Sequence, residues 1–140
     1  MKQQCSAHPF ILPVRVYYED TDTAGVVYYA NYLRYFERVR TEWLREIGRN
    51  HADMVREHGL MFVVRSVTLE YLKPARLDDL LDVGVAVANL GRAQVLLRQF
   101  VRRGEEELVS GTVRIVCVDM KKMKTAPIPE YLRETLKALQ

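Results

Sequence analysis

Hydrophobic and polar residues alternate over much of the chain after residue 60, which is the pattern of β-strands with one buried face. Strands are predicted there at residues 60–72, 80–90, 93–103 and 107–120. Turns at Gly91 and Gly104 separate the last three strands, and tight turns between long strands indicate an antiparallel meander. One face of the strand at 80–90 is formed by Leu81, Val83, Val85 and Val87. An earlier strand is predicted at 13–18, where valines alternate with other residues.

The periodicity changes to that of an α-helix between this first strand and residue 48. Apolar residues recur there at steps of four, three, four and four, at Tyr32, Phe36, Val39, Trp43 and Ile47. This stripe predicts a long helix that begins near Ala30 and ends at Gly48, because glycine commonly follows a helix end. More apolar side chains widen the stripe, so most of the helix surface should be covered: Leu33, Tyr35 and Leu44.

Shorter helices complete the prediction. One covers residues 50–58 with Asn50 as its cap, and another lies near the C-terminus at about 129–139. One long apolar helix with about five antiparallel strands is an α+β fold, and the economical packing is a curved sheet wrapped around that helix. We therefore expect a single domain over residues 1–140, with a short polar leader at 1–12.

Composition narrows the classes of function. The chain has 140 residues, of which 28% are charged, and its formal net charge of +3 is too small to argue for nucleic-acid binding. No apolar run approaches the roughly 20 residues of a membrane span, and the N-terminal region lacks the apolar segment of a signal peptide, so we expect a cytoplasmic protein. Cys5 and Cys117 lie far apart, and the histidines have no metal-ligand spacing, so we expect reduced cysteines and no metal site.

A cluster of carboxylates follows the first predicted strand. Glu19, Asp20 and Asp22 precede Ala24-Gly25, where the backbone can turn sharply. Aspartate is common in turns and at helix starts, so a purely structural role is one interpretation. The start of the long helix favours a catalytic role instead. Its unpaired backbone N–H groups can bind a developing oxyanion, while Asp22 attacks an acyl carbon or activates a water molecule. A carboxylate together with oxyanion-binding N–H groups would suit the hydrolysis of an activated ester such as a thioester, but these residues alone do not select a substrate.

Residues 14–44 read VRVYYEDTDTAGVVYYANYLRYFERVRTEWL, and this segment resembles the signature of the YbgC-type acyl-CoA thioesterases, in the 4-hydroxybenzoyl-CoA thioesterase branch of the hotdog-fold superfamily. Two later segments also resemble this group: FVVRSVTLEYLKPARLDDLL (62–81) and VCVDMKKMK (116–124). The resemblance implies a hotdog fold, in which an antiparallel sheet grips one long helix. It also implies an enzyme that hydrolyses acyl-CoA or acyl-carrier thioesters to a free acid and a thiol, with no cofactor beyond the coenzyme A of its substrate.

The resemblance also implies roles for single residues. The catalytic aspartate is the second of the D-x-D pair, Asp22, acting as nucleophile or as general base. The oxyanion donor is a backbone N–H at the helix start, which falls at Tyr29, and Gly25 and Val26 are expected to contact the substrate. Many YbgC-type proteins carry histidine where this chain has Tyr29, so the backbone role is retained and the side-chain role of that histidine is lost. We expect Tyr29 to contact the acyl pocket and Asp20 to be structural.

Coenzyme A carries phosphates, so basic residues should lie near the mouth of the site. The candidates are Arg65, Arg92, Lys121, Lys122 and Lys124. Arg65 is expected to reach the site from a neighbouring subunit. An alternative interpretation of the lysines is that they are simply a solvated run of charge. Glu37, on the long helix, is expected to pair with a neighbouring arginine rather than to form a buried second carboxylate.

Exposed edge strands of a long sheet are usually covered by a second copy of the chain, so a homo-oligomer is expected. The resemblance implies a dimer of dimers that binds acyl-CoA and, as a further partner, acyl carrier protein. An alternative function from another class is a hotdog module that binds acyl groups or acyl carrier protein without turnover, linked to envelope lipid metabolism. A hotdog hydratase or dehydratase is a weaker option, since such enzymes commonly rely on a catalytic histidine and no histidine lies near Asp22 in the sequence.

Overall fold

The computed structural model of the protein describes residues 9–48 and 51–140. Within these ranges the strands are β1 (Phe10–Arg15), β2 (Leu60–Tyr71), β3 (Leu80–Leu90), β4 (Gln94–Arg103), β5 (Glu106–Asp119) and the short β6 (Lys124–Thr125). The helices are α1 (Asn31–Glu46), α2 (His51–His58) and α3 (Glu130–Leu139). A single 3-10 turn, Tyr18–Asp20, lies between β1 and α1.

All strands belong to one antiparallel sheet with the order β1-β3-β4-β5-β2, and β6 pairs with the end of β5. Strands β3, β4 and β5 form the predicted meander, while β1 and β2 are the two edges. This arrangement confirms the α+β fold with about five long strands around one long helix. No helix within the described ranges has the length and hydropathy that a membrane crossing needs.

The core lies between α1 and the sheet, because α1 packs against β1, β3 and β4. The helix buries most of the predicted stripe: Tyr32, Phe36, Val39 and Trp43. The face predicted for β3 is buried in the same core: Leu81, Val83, Val85 and Val87. The expectation that most of the helix surface is covered is wrong for the chain alone, since Leu33 is 43% exposed and Ile47 is only partly buried. The sheet covers one side of α1 and leaves the other open.

The first strand lies further upstream than predicted. It begins at Phe10, inside the expected polar leader, and ends at Arg15 rather than at residue 18. Pro13 is tolerated because β1 is an edge strand, where a missing N–H costs no ladder bond. After β1 the N–H of Tyr17 donates to the Asp20 carboxylate at 2.9 Å instead of to a neighbouring strand. Residues 5 and 50, the predicted free cysteine and helix cap, lie outside the described ranges.

Candidate active site

Asp22 lies in a tight turn that its own atoms stabilise. Thr21 and Val27 form an isolated bridge, which closes residues 21–27 into what we call the acidic turn. The N–H of Asp22 donates to the Val26 carbonyl at 2.9 Å, and the Asp22 side chain accepts the N–H of Ala24 at 2.9 Å. Gly25, at φ +81°, supplies the left-handed backbone that this turn requires. Asp22 is exposed to solvent, and hydrogen bonds within the acidic turn hold the backbone that carries it.

Asp20 anchors the acidic turn to the start of α1. It is buried, and its carboxylate accepts the Tyr17 N–H described above. Its backbone carbonyl accepts the N–H of Tyr28 at 3.0 Å and the side-chain amide of Asn31 at 2.8 Å. These contacts agree with the structural role expected for Asp20, whereas Glu19 is exposed.

The start of α1 presents free backbone donors. The N–H groups of Tyr29 and Ala30 have no hydrogen-bond acceptor among the described residues. They precede Asn31, the first residue of α1, and no side chain caps this end of the helix. Free N–H groups at the positive end of a helix are suited to binding an anion or a developing oxyanion.

Aromatic side chains form a cavity of about 250 Å³ beside these donors, called here the aromatic cavity. It is lined by Val27, Tyr29, Tyr32, Tyr71, Leu72, Lys73 and Pro74. The ring of Tyr71 lies 6.1 Å from that of Tyr29 and 5.8 Å from that of Tyr32, measured between centroids. Tyr29 therefore lines an apolar pocket. Asp22 lines a different depression, which it shares with Tyr18 and Glu19.

The loop between β2 and β3, residues 72–79, supports both parts of this region and is called the support loop. The carbonyl of Ala75 accepts the N–H of Val27 at 2.8 Å, and Val26 forms a bridge with Arg76. The N–H of Ala75 donates to the hydroxyl of Tyr32 at 3.1 Å. Sequence reasoning missed the support loop, and its one visible signal is the Lys73-Pro74 break after β2.

An ion-pair network holds the support loop to the β4–β5 hairpin. Arg103 contacts Asp79 and Glu106 at 2.7 Å each, and Lys73 contacts Glu106 at 2.7 Å. Burial alone would raise the pKa of Asp79, but hydrogen bonds from the Arg76 N–H and from Arg103 outweigh it and hold that pKa below its usual range. Hydrogen bonds from Lys73 and Arg103 lower the pKa of Glu106. These residues were also absent from the sequence-based candidates.

Four of the five predicted basic residues lie at the other end of the sheet. Strand β2 pairs with β5 from Leu60 opposite Asp119 to Tyr71 opposite Val109. At about 3.3 Å per residue, those two ends are roughly 35 Å apart. Asp119 and the lysines that follow it form one end, called the lysine end: Lys121, Lys122 and Lys124.

Arg92 belongs to the lysine end as well, because its carbonyl accepts the N–H of Ile128 at 3.0 Å. The aromatic cavity and the support loop lie at the opposite, acidic-turn end. Within one chain the predicted phosphate-binding residues are thus remote from Asp22. Arg65 is exposed near the middle of β2, next to a bulge.

Glu37 differs from expectation in one respect. It is exposed and is not a buried carboxylate, as expected, but it forms no ion pair with a neighbouring arginine among the described residues. Its negative charge raises the pKa of Arg40, while burial lowers that pKa more. Arg40 instead donates to the buried side chain of Gln99 at 2.9 Å. No group of three or more potential metal ligands occurs within the described part of the chain.

Comparison with known proteins identifies the family. Residues 16–136 match the model of the thioesterase-like superfamily. The chain is 44% identical to the acyl-CoA thioesterase YbgC of Haemophilus influenzae over 124 residues, covering 89% of this chain and 91% of that protein. It is 42% identical to the acyl-CoA thioester hydrolase YbgC of Escherichia coli over 124 residues, covering 88% and 92%.

Solved structures agree with this assignment. A probable thioesterase from Bartonella henselae superposes with a TM-score of 0.81 at 35% identity, covering 87% of this chain and all (100%) of that one. A hypothetical protein from Aquifex aeolicus superposes with a TM-score of 0.85 at 32% identity, covering 91% and 99%. The chain therefore has the hotdog fold and belongs to the thioesterase-like superfamily.

Proposed function

We propose that this chain is an acyl-CoA thioesterase in which Asp22 supplies the catalytic carboxylate and the N–H of Tyr29 binds the oxyanion. The observation that carries the proposal is the arrangement at one end of α1, where a hydrogen-bonded turn that carries an exposed carboxylate leads directly into free helix N–H groups and an apolar cavity. Relatives named as acyl-CoA thioesterases, at 42–44% identity over about nine-tenths of the chain, support the substrate class.

Two chemical routes are compatible with a carboxylate at this position. In the first, a carboxylate oxygen of Asp22 attacks the thioester carbon and expels the thiolate, and water then cleaves the resulting mixed anhydride. In the second, Asp22 takes a proton from a water molecule that attacks the same carbon, and the thiolate leaves from the tetrahedral intermediate. Both routes place negative charge on the carbonyl oxygen, which the Tyr29 N–H would stabilise. Gly25 and Val26 would contact the substrate from the acidic turn.

A dimer formed through the β2 edges would complete this site. Strand β2 is 12 residues long, contains no proline and leaves Val63 and Val64 at least 40% exposed, which is unusual for an unprotected edge. Antiparallel pairing of two β2 strands about a twofold axis would bring the lysine end of one chain beside the acidic-turn end of the other. Phosphates of coenzyme A could then bind the lysine run and Arg92 of one copy while the thioester reaches Asp22 of its neighbour.

Arg65, near the middle of β2, would lie close to that twofold axis. Further association of two such dimers would give the tetramer that the family resemblance suggests. A cytoplasmic location is part of the proposal, since Cys117 is a buried free thiol of the kind found in reducing compartments.

The second candidate is an acyl-binding or acyl-carrier-binding module without turnover. One observation favours it: in the single chain Asp22 does not line the aromatic cavity that Tyr29 lines. If a partner chain does not bring a thioester within reach of both, the site would bind acyl groups without hydrolysing them.

Thiol release from short, long and aromatic acyl-CoA esters distinguishes these functions. We expect clear turnover by the wild type and a loss of at least about 1,000-fold in kcat for Asp22→Asn, which nearly keeps the shape but removes the charge. Absence of turnover in a folded wild-type protein would support the binding module. Turnover that survives in Asp22→Asn would show that another residue carries the chemistry.

A further inference from the structure

We propose that Tyr32 is a positioning residue, whose hydroxyl and the Ala75 peptide form a bridge that aligns Asp22 with the oxyanion-binding N–H of Tyr29. This inference rests on the proposed function and assigns a role to residues outside the acidic turn. Tyr32 would act through Ala75 and not through contact between its hydroxyl and the reacting atoms.

Ala75 joins the two halves of the site through its own backbone. Its N–H donates to the Tyr32 hydroxyl at 3.1 Å, and Tyr32 lies in the first turn of α1, three residues after Tyr29. Its carbonyl accepts the N–H of Val27 at 2.8 Å, and Val27 closes the acidic turn that holds Asp22. Ala75 is fully buried, so water cannot replace either bond. The Ala75 peptide therefore connects the helix start to the acidic turn.

The bridge stands opposite the contacts made by Asp20. On that side, Asp20 ties the acidic turn to Tyr28 and Asn31, as described above. Two attachments on different sides prevent the turn from pivoting about the helix start, whereas one attachment would leave a hinge. Because proximity effects depend on alignment within about 1 Å, the loss of one attachment should reduce the rate much more than substrate binding.

The outer end of the bridge is fixed by the ion-pair network. Arg103 contacts Asp79 at 2.7 Å and the carbonyl of Pro74 at 3.3 Å, so it holds the support loop on both sides of Ala75. Burial raises the pKa of Tyr32, so its hydroxyl stays neutral at physiological pH. The bridge is therefore intact across the pH range in which a thioesterase assay is run.

The sequence offers a matched control one helical turn away. Tyr35 is also buried on α1, with its ring 6.0 Å from that of Tyr32. Burial and the nearby Asp20 carboxylate raise the pKa of Tyr35, but its hydroxyl makes no hydrogen bond to a backbone group of the acidic turn or the support loop within the described residues. Replacement by phenylalanine removes one buried hydroxyl in both cases and keeps both rings. Only at Tyr32 does the change leave a backbone N–H of the support loop without an acceptor.

The test measures kcat and KM of Tyr32→Phe, Tyr35→Phe and Asp22→Asn on one acyl-CoA ester. We expect Tyr32→Phe to lower kcat by about 10- to 100-fold with KM changed less than about threefold, since the ring that lines the cavity remains. Tyr35→Phe should keep kcat within about twofold. Equal kcat values for the two phenylalanine variants, with Asp22→Asn inactive, would overturn the positioning role and leave the proposed function standing. Turnover that survives in Asp22→Asn would overturn both, because there would be no carboxylate to align.

A second variant keeps the test decisive if Tyr32→Phe does not fold. Arg103→Met removes contacts at the far end of the support loop without touching Tyr32, and its side chain lies partly in solvent. We expect about a three- to tenfold loss of kcat at unchanged KM. The control is Arg45→Met, which breaks an exposed ion pair of the same 2.7 Å length, with Glu42 near the end of α1. Equal kcat values for Arg103→Met and Arg45→Met would contradict the proposal.

Discussion

The two ends of the sheet are built differently, although both carry charged residues in turns. At the acidic-turn end, the ion pairs of Arg103 and the buried Asp20 connect three separate segments of the chain. At the lysine end, the carboxylate of Asp119 accepts the backbone N–H groups of Lys121 and Lys122, at 2.9 and 3.1 Å. None of the lysine side chains there has an ion-pair partner within residues 9–48 and 51–140.

This difference matches two different chemical tasks. Bond cleavage needs a carboxylate and an oxyanion donor at a fixed distance and orientation. The fold must therefore hold these groups in place before the substrate binds. In the proposed function, attraction of phosphates needs positive charge but little orientation, which solvent-exposed lysines are suited to provide. We infer that the chain places rigid geometry at one end and mobile charge at the other.

The same substitution at two glycines tests this difference between the two ends of the sheet. Gly25 in the acidic turn and Gly59 at the lysine end have φ angles of +81° and +65°, and an added Cβ would meet no heavy atom within 4 Å at either site. Alanine should therefore cost backbone strain alone, about 1–2 kcal/mol in each case, and lower both Tm values by a few degrees, ~2–8 °C.

Only Gly25→Ala should also lower kcat, by about tenfold or more, because the strained turn carries Asp22. Thermal unfolding and steady-state kinetics of the two variants provide the measurement. A similar kcat for both would mean that the acidic turn need not be rigid.

Neutralising the lysine end should affect binding rather than catalysis. For the triple variant Lys121→Gln, Lys122→Gln, Lys124→Gln, we expect KM for an acyl-CoA ester to rise about 5- to 20-fold, with kcat within about twofold. The increase should diminish at high salt, which screens exposed charges. An acyl-pantetheine ester, which lacks the nucleotide phosphates, is the control and should show no change in kcat/KM. An equal loss on both esters would assign the lysines a role other than phosphate binding.

Much of the fold could be predicted from the sequence because its signals are local. The alternation along β3 and the apolar stripe of α1 each predict which side of the element is buried, and the structure confirms both predictions. The start of β1 was placed wrongly because Pro13 looks like a strand boundary, whereas an edge strand accommodates it. Leu33 is exposed since helical periodicity alone does not say how far around the helix the sheet extends.

The candidate site could be predicted only in part, for the same reason. The acidic turn lies within seven consecutive residues, so Asp22 and Gly25 are recognisable in the sequence. The support loop meets the helix start through Ala75 and Tyr32, which are 43 residues apart along the chain, and it meets the acidic turn through Ala75 and Val27. No local pattern reports a contact of that separation. Similarly, the lysine run is visible as charge, but its distance from Asp22 depends on the direction and length of β2 and β5.

The smallest expected effect concerns the pH dependence of stability at the acidic-turn end. The folded-state pKa values of Asp79 and Glu106 lie below their usual range, so the stability that their ionised forms contribute is present above pH ~4.3 and is lost as the pH falls through the folded values. Arg103→Met removes the shared cation and should lower Tm by a few degrees, ~2–4 °C, between pH 5 and pH 8. The deficit should shrink below about pH 4, where the carboxylates lose their charge in the wild type as well.

Asp119→Asn is the counterpart at the lysine end. Hydrogen bonds from the N–H groups of Lys122 and Lys121 lower the pKa of Asp119, but asparagine keeps an oxygen that can accept the same bonds. Its Tm should therefore stay closer to that of the wild type than the Tm of Arg103→Met at every pH. Thermal unfolding at pH 7, 5, 4 and 3 measures both variants, and a deficit for Arg103→Met that grows on acidification would contradict the ion-pair origin of the difference between the ends. A deficit that disappears with the carboxylate charges would instead show that the rigidity of the acidic-turn end depends on charge pairing across segments that the sequence keeps far apart.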